Sequence, residues 1–167
     1  KAVVEAGDLV VIDSGASFGG YCADVTRTLP VSGGFTQEQR RFYEIVLAAQ
    51  RAAIAAARPG VHMWRVDEAA RAVIEKAGCG DAFIHGVGHQ LGLATHDATP
   101  GGPLVPGMVV TIEPGIYFPD RGLGIRIEDD VLIGRAGNRV LSSAIPKSIE
   151  DIESAMRKAR AARGGHV

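Results

Sequence analysis

Five side chains able to bind a metal stand in or beside short apolar segments of this chain, and that placement limits what it can fold into. Asp13 ends the run Leu9–Ile12, Asp24 sits in the segment Tyr21–Thr28, and Glu113 follows Val109–Ile112. Glu128 belongs to Gly124-Ile125-Arg126-Ile127-Glu128, and His89 closes His85-Gly86-Val87-Gly88-His89. A carboxylate at the edge of an apolar strand is costly to bury unless it is paired or bound to a metal. Strands are also rigid enough to aim such groups at one point. Taken singly, each acid reads as a turn or salt-bridge residue, and His89 as a hydrogen-bonded structural histidine. As a set, with their flanking residues, they point to a shared site.

The segments around them read as follows. Leu9–Ile12 is apolar and β-branched between Gly7 and Gly15, which predicts a buried strand. Tyr21–Thr28, after the Gly19-Gly20 turn signal, is its hairpin partner. Thr36 with Gln39 resembles a capping box, and the alanine-rich stretch to Ala57 favours helix until Arg58-Pro59-Gly60 stops it. A second helix is predicted over Arg65–Lys76, ending at Gly78, with Met63 and Trp64 as core or helix-start residues. The segment Phe83–Pro106 is crowded with His, Gly and Pro and predicts loops and short strands. Val109–Ile112 and Gly124–Ile133 read as strands, and Ile149–Arg163 as a charged helix fraying into Gly164-Gly165. Strands, two helices, strands and a helix make an α+β pattern.

The 167 residues fit one domain. A formal net charge of −1 gives no reason to expect a nucleic acid or an anionic membrane as partner. No apolar run approaches the roughly 20 residues that cross a bilayer. Cys22 and Cys79 are the only cysteines, which is no disulfide framework and reads as a reducing, cytoplasmic setting. The start Lys1-Ala2-Val3-Val4-Glu5 lacks the layout of a signal peptide and passes at once into a strand-like segment. The expectation is a chain without its N-terminal part.

Longer motifs then narrow the fold. Asp13-Ser14-Gly15-Ala16, Gly20-Tyr21 and Asp24-Val25-Thr26-Arg27-Thr28 resemble the first signature of the pita-bread metallopeptidases, in the branch of aminopeptidase P and prolidase. His85-Gly86-Val87-Gly88-His89-Gln90-Leu91-Gly92 with His96-Asp97 resembles the second. The run from Pro106 to Tyr117 is similar to the third, and Gly124-Ile125-Arg126-Ile127-Glu128-Asp129-Asp130 to the fourth. Ile145-Pro146-Lys147 with Glu150-Asp151-Ile152-Glu153 resembles the end of these enzymes.

The resemblance implies a catalytic pita-bread domain over residues 1–167, hydrolysing the bond between an N-terminal residue and a following proline. It implies that Asp13 chelates one of two divalent ions, that Asp24 and Glu128 bridge both, and that His89 and Glu113 hold the second. Four carboxylates balance two such ions, which would activate a water and stabilise charge on the attacked carbonyl. An oxygen-rich set with one imidazole leans to Mn²⁺ and tolerates Co²⁺ or Zn²⁺. His85 and His96 are placed around the substrate, with His96 near the scissile carbonyl. Tyr117 and Arg126 would orient the ligand carboxylates, although Tyr117 also reads as a core tyrosine and Arg126 as a surface charge.

Pita-bread domains have two similar halves with the metals between them, and this sequence begins at the strand bearing Asp13. The first-half helices, a further substrate-facing histidine and a separate N-terminal domain are therefore expected in a missing portion of the same protein. Ala98-Thr99-Pro100-Gly101-Gly102-Pro103 also lacks the arginine that many dipeptidases carry just behind that proline. Aminopeptidase P is the leading expectation and Xaa-Pro dipeptidase the second, acting on proline-containing peptides, with a homodimer possible. An inactive peptide-binding module and a metal-free creatinase-like enzyme are the rivals. Such relatives lose metal ligands, and this chain keeps all five.

Overall fold

The structure, a computed structural model, describes residues 3–98 and 101–164. Lys1, Ala2, Thr99, Pro100 and Gly165, which enter the sequence reading above, lie outside the described residues. Strands β1 (Leu9–Phe18) and β2 (Tyr21–Pro30) form an antiparallel hairpin. Its two-residue turn uses Gly19 at φ 59° and Gly20 at φ 86°, the left-handed pair that matches strand twist and that glycine adopts without strain. The register pairs Asp13 with Thr26 and Gly15 with Asp24. Directly opposed residues share a sheet face, so Asp13, Asp24 and Thr26 project together. Ile12, Ala16, Ala23, Val25 and Leu29 form the opposite, apolar face.

One expectation about β1 needs correcting. The strand is not buried: Leu9–Val11 are half-buried and Ile12–Phe18 are exposed. The apolar run signalled strand correctly, but no described element covers the outer half of the hairpin. The ladder to β2 carries β1 well past that run.

Helix α1 (Gln37–Ala56) starts at Thr36 with the capping box that the sequence indicated: Gln39 N donates to Thr36 Oγ1, and Thr36 N donates to Gln39 Oε1. Helix α2 (Met63–Lys76) begins earlier than Arg65, and Trp64 at its start is exposed. Val66, Ala70 and Ile74 form its buried row. Short β3 (Gln90–Leu91) and β4 (Val109–Ile112) belong to a sheet of order β3-β4-β7-β8, and β5 (Gly115–Phe118) pairs with β6 (Leu123–Arg126). Strands β7 (Asp129–Ile133) and β8 (Asn138–Val140) precede α3 (Ile149–Gly164). Tyr43, Val46, Ile74, Ile112, Ile116, Ile125, Ile127 and Ile133 make the dry core between helices and sheet. No helix among the described residues is long and apolar enough to cross a membrane.

The segment Gly124–Ile133, read as one strand, is two. The break falls at Ile127-Glu128, because Glu128 N leaves the ladder and donates to Thr26 O at 3.1 Å. That bond ties the sheet to the hairpin, and a buried polar cluster reinforces it. Arg27 donates from Nη1 to Glu128 O (2.5 Å) and Thr26 O (2.9 Å), and from Nε to Pro146 O (2.7 Å). Its Nη2 pairs with fully buried Asp129 at 2.8 Å. Asp129 also accepts from Gln50 Nε2 (2.9 Å), Ser142 Oγ (2.7 Å) and Lys147 Nζ (2.5 Å). Burial works against the Asp129 charge, yet Lys147, Ser142 and Arg27 hold its carboxyl below the usual range.

Removing one partner of a buried charge pair strands the other, which costs about 3–5 kcal/mol. Asp129→Ala is therefore expected to lower unfolding free energy by about that amount in urea titrations. The same change at exposed Asp120 should stay within about 0.5 kcal/mol.

Candidate metal centre

The loop Val87–His89 lies along the edge of β4. Glu113 N donates to Val87 O (2.7 Å), Thr111 N to His89 O (2.9 Å), and His89 N to Thr111 Oγ1 (3.0 Å). Such close approach needs Gly88, since a Cβ there would come 2.0 Å from Thr111 O. His89 and Glu113 are thereby brought together, with Nε2 3.4 Å from Glu113 Oε1. His89 Nε2 also lies 3.7 Å from Asp24 Oδ2. Its Nδ1 is 3.0 Å from Gln90 O, a carbonyl that can only accept. The Nδ1 proton is thus fixed, and Nε2 is the nitrogen left to bind a metal.

Asp24, His89 and Glu128 each present a ligand atom within 4.8 Å of the other two. Glu128 is buried and accepts from Thr26 Oγ1 at 2.5 Å. Burial, together with the charges of Glu113, Asp24 and Asp13, pushes its carboxyl up to about 8 against the pull of Thr26. Burial also raises Asp24, and so do a hydrogen bond and the charge from Asp13. Asp24 thus stands between Asp13 on one side and His89 with Glu113 on the other. Asp13 is half-exposed and pairs with Arg126, whose Nε lies 3.9 Å from Glu113 Oε2. Crowding that pushes protons onto buried acids is relieved by cations. The donor set of four carboxylates and one imidazole, with the imidazole Nε2 available, fits divalent ions.

The remaining sequence-predicted residues surround the same point. Arg126 Nη1 donates to Tyr117 Oη (3.2 Å), and His85 Nε2 is 3.0 Å from that oxygen. Arginine only donates, so Tyr117 accepts from it and passes its own proton toward His85 Nε2. His85 Nδ1–H then donates to Gly86 O at 2.8 Å. His96 is exposed and stacks on His89, with ring centroids 3.9 Å apart and 17° between planes. Asp97 braces that loop by accepting from Leu93 N (2.9 Å) and Ala98 N (2.8 Å), bonds that hold its carboxyl low. His85, His89, His96, Glu113 and Arg126 line one cleft of about 300 Å³.

The sequence profile described as metallopeptidase family M24 matches residues 1–135. The chain belongs to that family. The Xaa-Pro aminopeptidase of Haemophilus influenzae is 40% identical over 181 residues, an alignment covering 90% of this chain and 42% of the relative. The Xaa-Pro dipeptidase of Pyrococcus furiosus is 48% identical over 147 residues, covering 83% of this chain and 41% of the relative. Among solved structures, Pseudomonas aeruginosa aminopeptidase PepP superposes with a TM-score of 0.89 at 36% identity, over 96% of this chain and 44% of that one. The Pyrococcus furiosus prolidase superposes with a TM-score of 0.77 at 48% identity, over 83% and 42%. The M24 chain thus has the pita-bread fold and spans about two fifths of the length of these relatives. As a metallopeptidase family, M24 implies divalent metal ions.

Sequence reasoning missed the supports of this M24 site. Thr26 and Thr111 each touch a candidate ligand, and their signal was present in the motif Asp24-Val25-Thr26 and in Thr111 two residues before Glu113. Asp130 stands in the motif beside Glu128 without a role marked by sequence. Both its carboxylate oxygens lie 3.3 Å from Asp24 N, and burial pushes its carboxyl up to about 6.

If Glu128 is shared by two ions, Glu128→Ala lowers the content of both. Elemental analysis after dialysis against Mn²⁺ is expected to fall well below the wild-type stoichiometry. Full retention of both ions would remove Glu128 from the ligand set.

Proposed function

We propose that this chain is the catalytic part of a metal-dependent Xaa-Pro aminopeptidase, cleaving the bond between an N-terminal residue and a following proline. The observation that carries the reading is the convergence of Asp24, His89 and Glu128, with Asp13 and Glu113 beside them, in a member of M24. Asp13 would hold one ion, His89 and Glu113 the other, and Asp24 with Glu128 both. When bound, the two ions supply an activated water and stabilise charge on the attacked carbonyl. Mn²⁺ is proposed on the oxygen-rich donor set, with Co²⁺ or Zn²⁺ as substitutes.

The chain's own groups do the rest. Arg126 pairs with Asp13 and keeps Tyr117 aimed at His85. His85, held by Gly86 O and Tyr117, presents its ring at the cleft wall. His96 is solvent-exposed and stacked on the His89 ring, where it can reach a substrate carbonyl or donate a proton to the proline side. His96→Ala is expected to keep both ions while kcat drops on the order of 10²-fold, the scale of one oxyanion donor or general acid. Loss of metal in that variant would make His96 a ligand instead.

Xaa-Pro dipeptidase is the second reading, favoured by the 48% identity to the Pyrococcus furiosus enzyme. Aminopeptidase is preferred because the backbone follows aminopeptidase PepP over more of its length, and because residues 98–103 carry no arginine. We further propose that the apolar hairpin face is covered in the whole protein by structure preceding Lys1. Its groove of about 480 Å³, lined by Ile12, Val25, Leu29, Ile145 and Ile152, supports this, as does the greater length of the relatives. The test is Mn²⁺-dependent hydrolysis of a dipeptide and a tripeptide, each with proline second, by the chain with and without such a preceding segment. Preferred tripeptide turnover that needs the segment is expected. Dipeptide-only turnover would favour prolidase, and full turnover by the chain alone would overturn the covering.

A further inference from the structure

The stretch that carries His85 and His89 is held from two sides, and only the β4 side belongs to the metal centre itself. Residues Phe83–Gly88 form no helix or strand, so their backbone groups need partners from elsewhere. Three of those partners come from one turn of α2. Arg71 donates from Nη1 to Phe83 O (3.1 Å) and from Nη2 to His85 O (2.8 Å). Asp67 Oδ1 accepts from Val87 N at 2.9 Å, while its Oδ2 pairs with Arg71 Nε. The arginine plane also lies 4.3 Å from the centroid of the Phe83 ring, which meets His85 edge-on with centroids 5.2 Å apart.

We propose that Asp67 and Arg71 are positioning residues that set where His85 points; the inference rests on the peptidase reading only for its kinetic consequence. An ordinary partly exposed i,i+4 ion pair on a helix contributes little to stability. This pair differs in what its remaining atoms do. Asp67 and Arg71 keep side-chain exposures of 23% and 35%, and every other polar contact they make is to the backbone at residues 83, 85 and 87. The buried row Val66, Ala70 and Ile74 anchors that turn of α2 in the core, so the clamp is rigid at its base. With Glu113 N on Val87 O, the loop is pinned from α2 and from β4 at the same residue. His85 is left with one direction, toward Tyr117. Loss of the clamp would let the backbone at His85 drift while the helix and the β4 contact survive. Misplacement by about 1 Å costs on the order of 10²-fold in rate.

The test compares Arg71→Met, which keeps the stem over Phe83, with Asp67→Ala and the conservative Asp67→Asn, which retains an acceptor for Val87 N. Two readouts are taken: histidine side-chain nitrogen NMR on metal-free protein, and kcat against KM for the Mn²⁺-loaded enzyme. The expected result is that Arg71→Met and Asp67→Ala shift the His85 ring signals away from the Nδ1–H pattern. His62, at the start of α2, should keep its signals and the melting temperature should move by only a few degrees. In the loaded enzyme kcat falls at least tenfold with KM little changed, and Asp67→Asn restores most of both. Unchanged His85 signals in Arg71→Met and Asp67→Ala would overturn the proposal. So would a loss that spreads to all histidines with a collapsed melting temperature, since that marks a purely structural pair. A wild-type protein without peptidase activity would sink the functional reading alone, because the metal-free spectra still decide the clamp.

Discussion

Repulsion among carboxylates is the constraint that the rest of this structure answers. Asp13 and Asp24 come from the hairpin, Glu113 and Glu128 from the β4–β5 and β6–β7 junctions, and nothing in their own chemistry draws them together. Burial and mutual charge push Glu128 and Asp24 toward their protonated forms. The fold overcomes it with bonds that tie β2 to the backbone of Glu128. Arg27 grips the carbonyls of Thr26 and Glu128, Asp129 anchors Arg27, and Glu128 N reaches Thr26 O. Arg27 lies on the opposite face of the hairpin from Asp24, while Arg126 pairs with Asp13 in the cleft. Such an arrangement is stable when cations occupy the convergence and is strained by its own charges otherwise.

The same economy governs the histidines. His89 and His85 are each held through Nδ1, by Gln90 O and Gly86 O. Backbone carbonyls favour the Nδ1–H tautomers, and Tyr117 adds its contact at His85 Nε2. The cleft therefore combines a rigid floor, made by hairpin and sheet, with a wall of loop whose geometry is imposed from α2 and β4.

Much of this was legible in the sequence. The helix starting at Thr36, the hairpin around Gly19-Gly20 and the strand before Glu113 follow from caps, glycine turns and β-branched runs, which are local signals. The five candidate ligands were legible because each sits in a motif with distinctive neighbours. The structure brings Asp24, His89 and Glu128 together and sets Asp13 and Glu113 against them. The supports were not legible. Arg71 acts on the carbonyls of Phe83 and His85, and a carbonyl is the same at every residue, so no sequence pattern marks the contact. Gln50 and Lys147 reach Asp129 across 79 and 18 residues, a closeness only the folded chain creates. The burial expected for Leu9–Ile12 failed for a related reason. An apolar strand announces that it pairs, but not whether another layer lies over it.

The central claim is that these residues hold two ions, with Asp24 and Glu128 common to both. Anomalous diffraction from crystals of the protein grown with Mn²⁺, collected on both sides of the manganese edge, tests it most directly. Two peaks are expected, both contacted by Asp24 and Glu128, with Asp13 on one and His89 and Glu113 on the other. A single peak, or ions that do not touch both Asp24 and Glu128, would contradict the account.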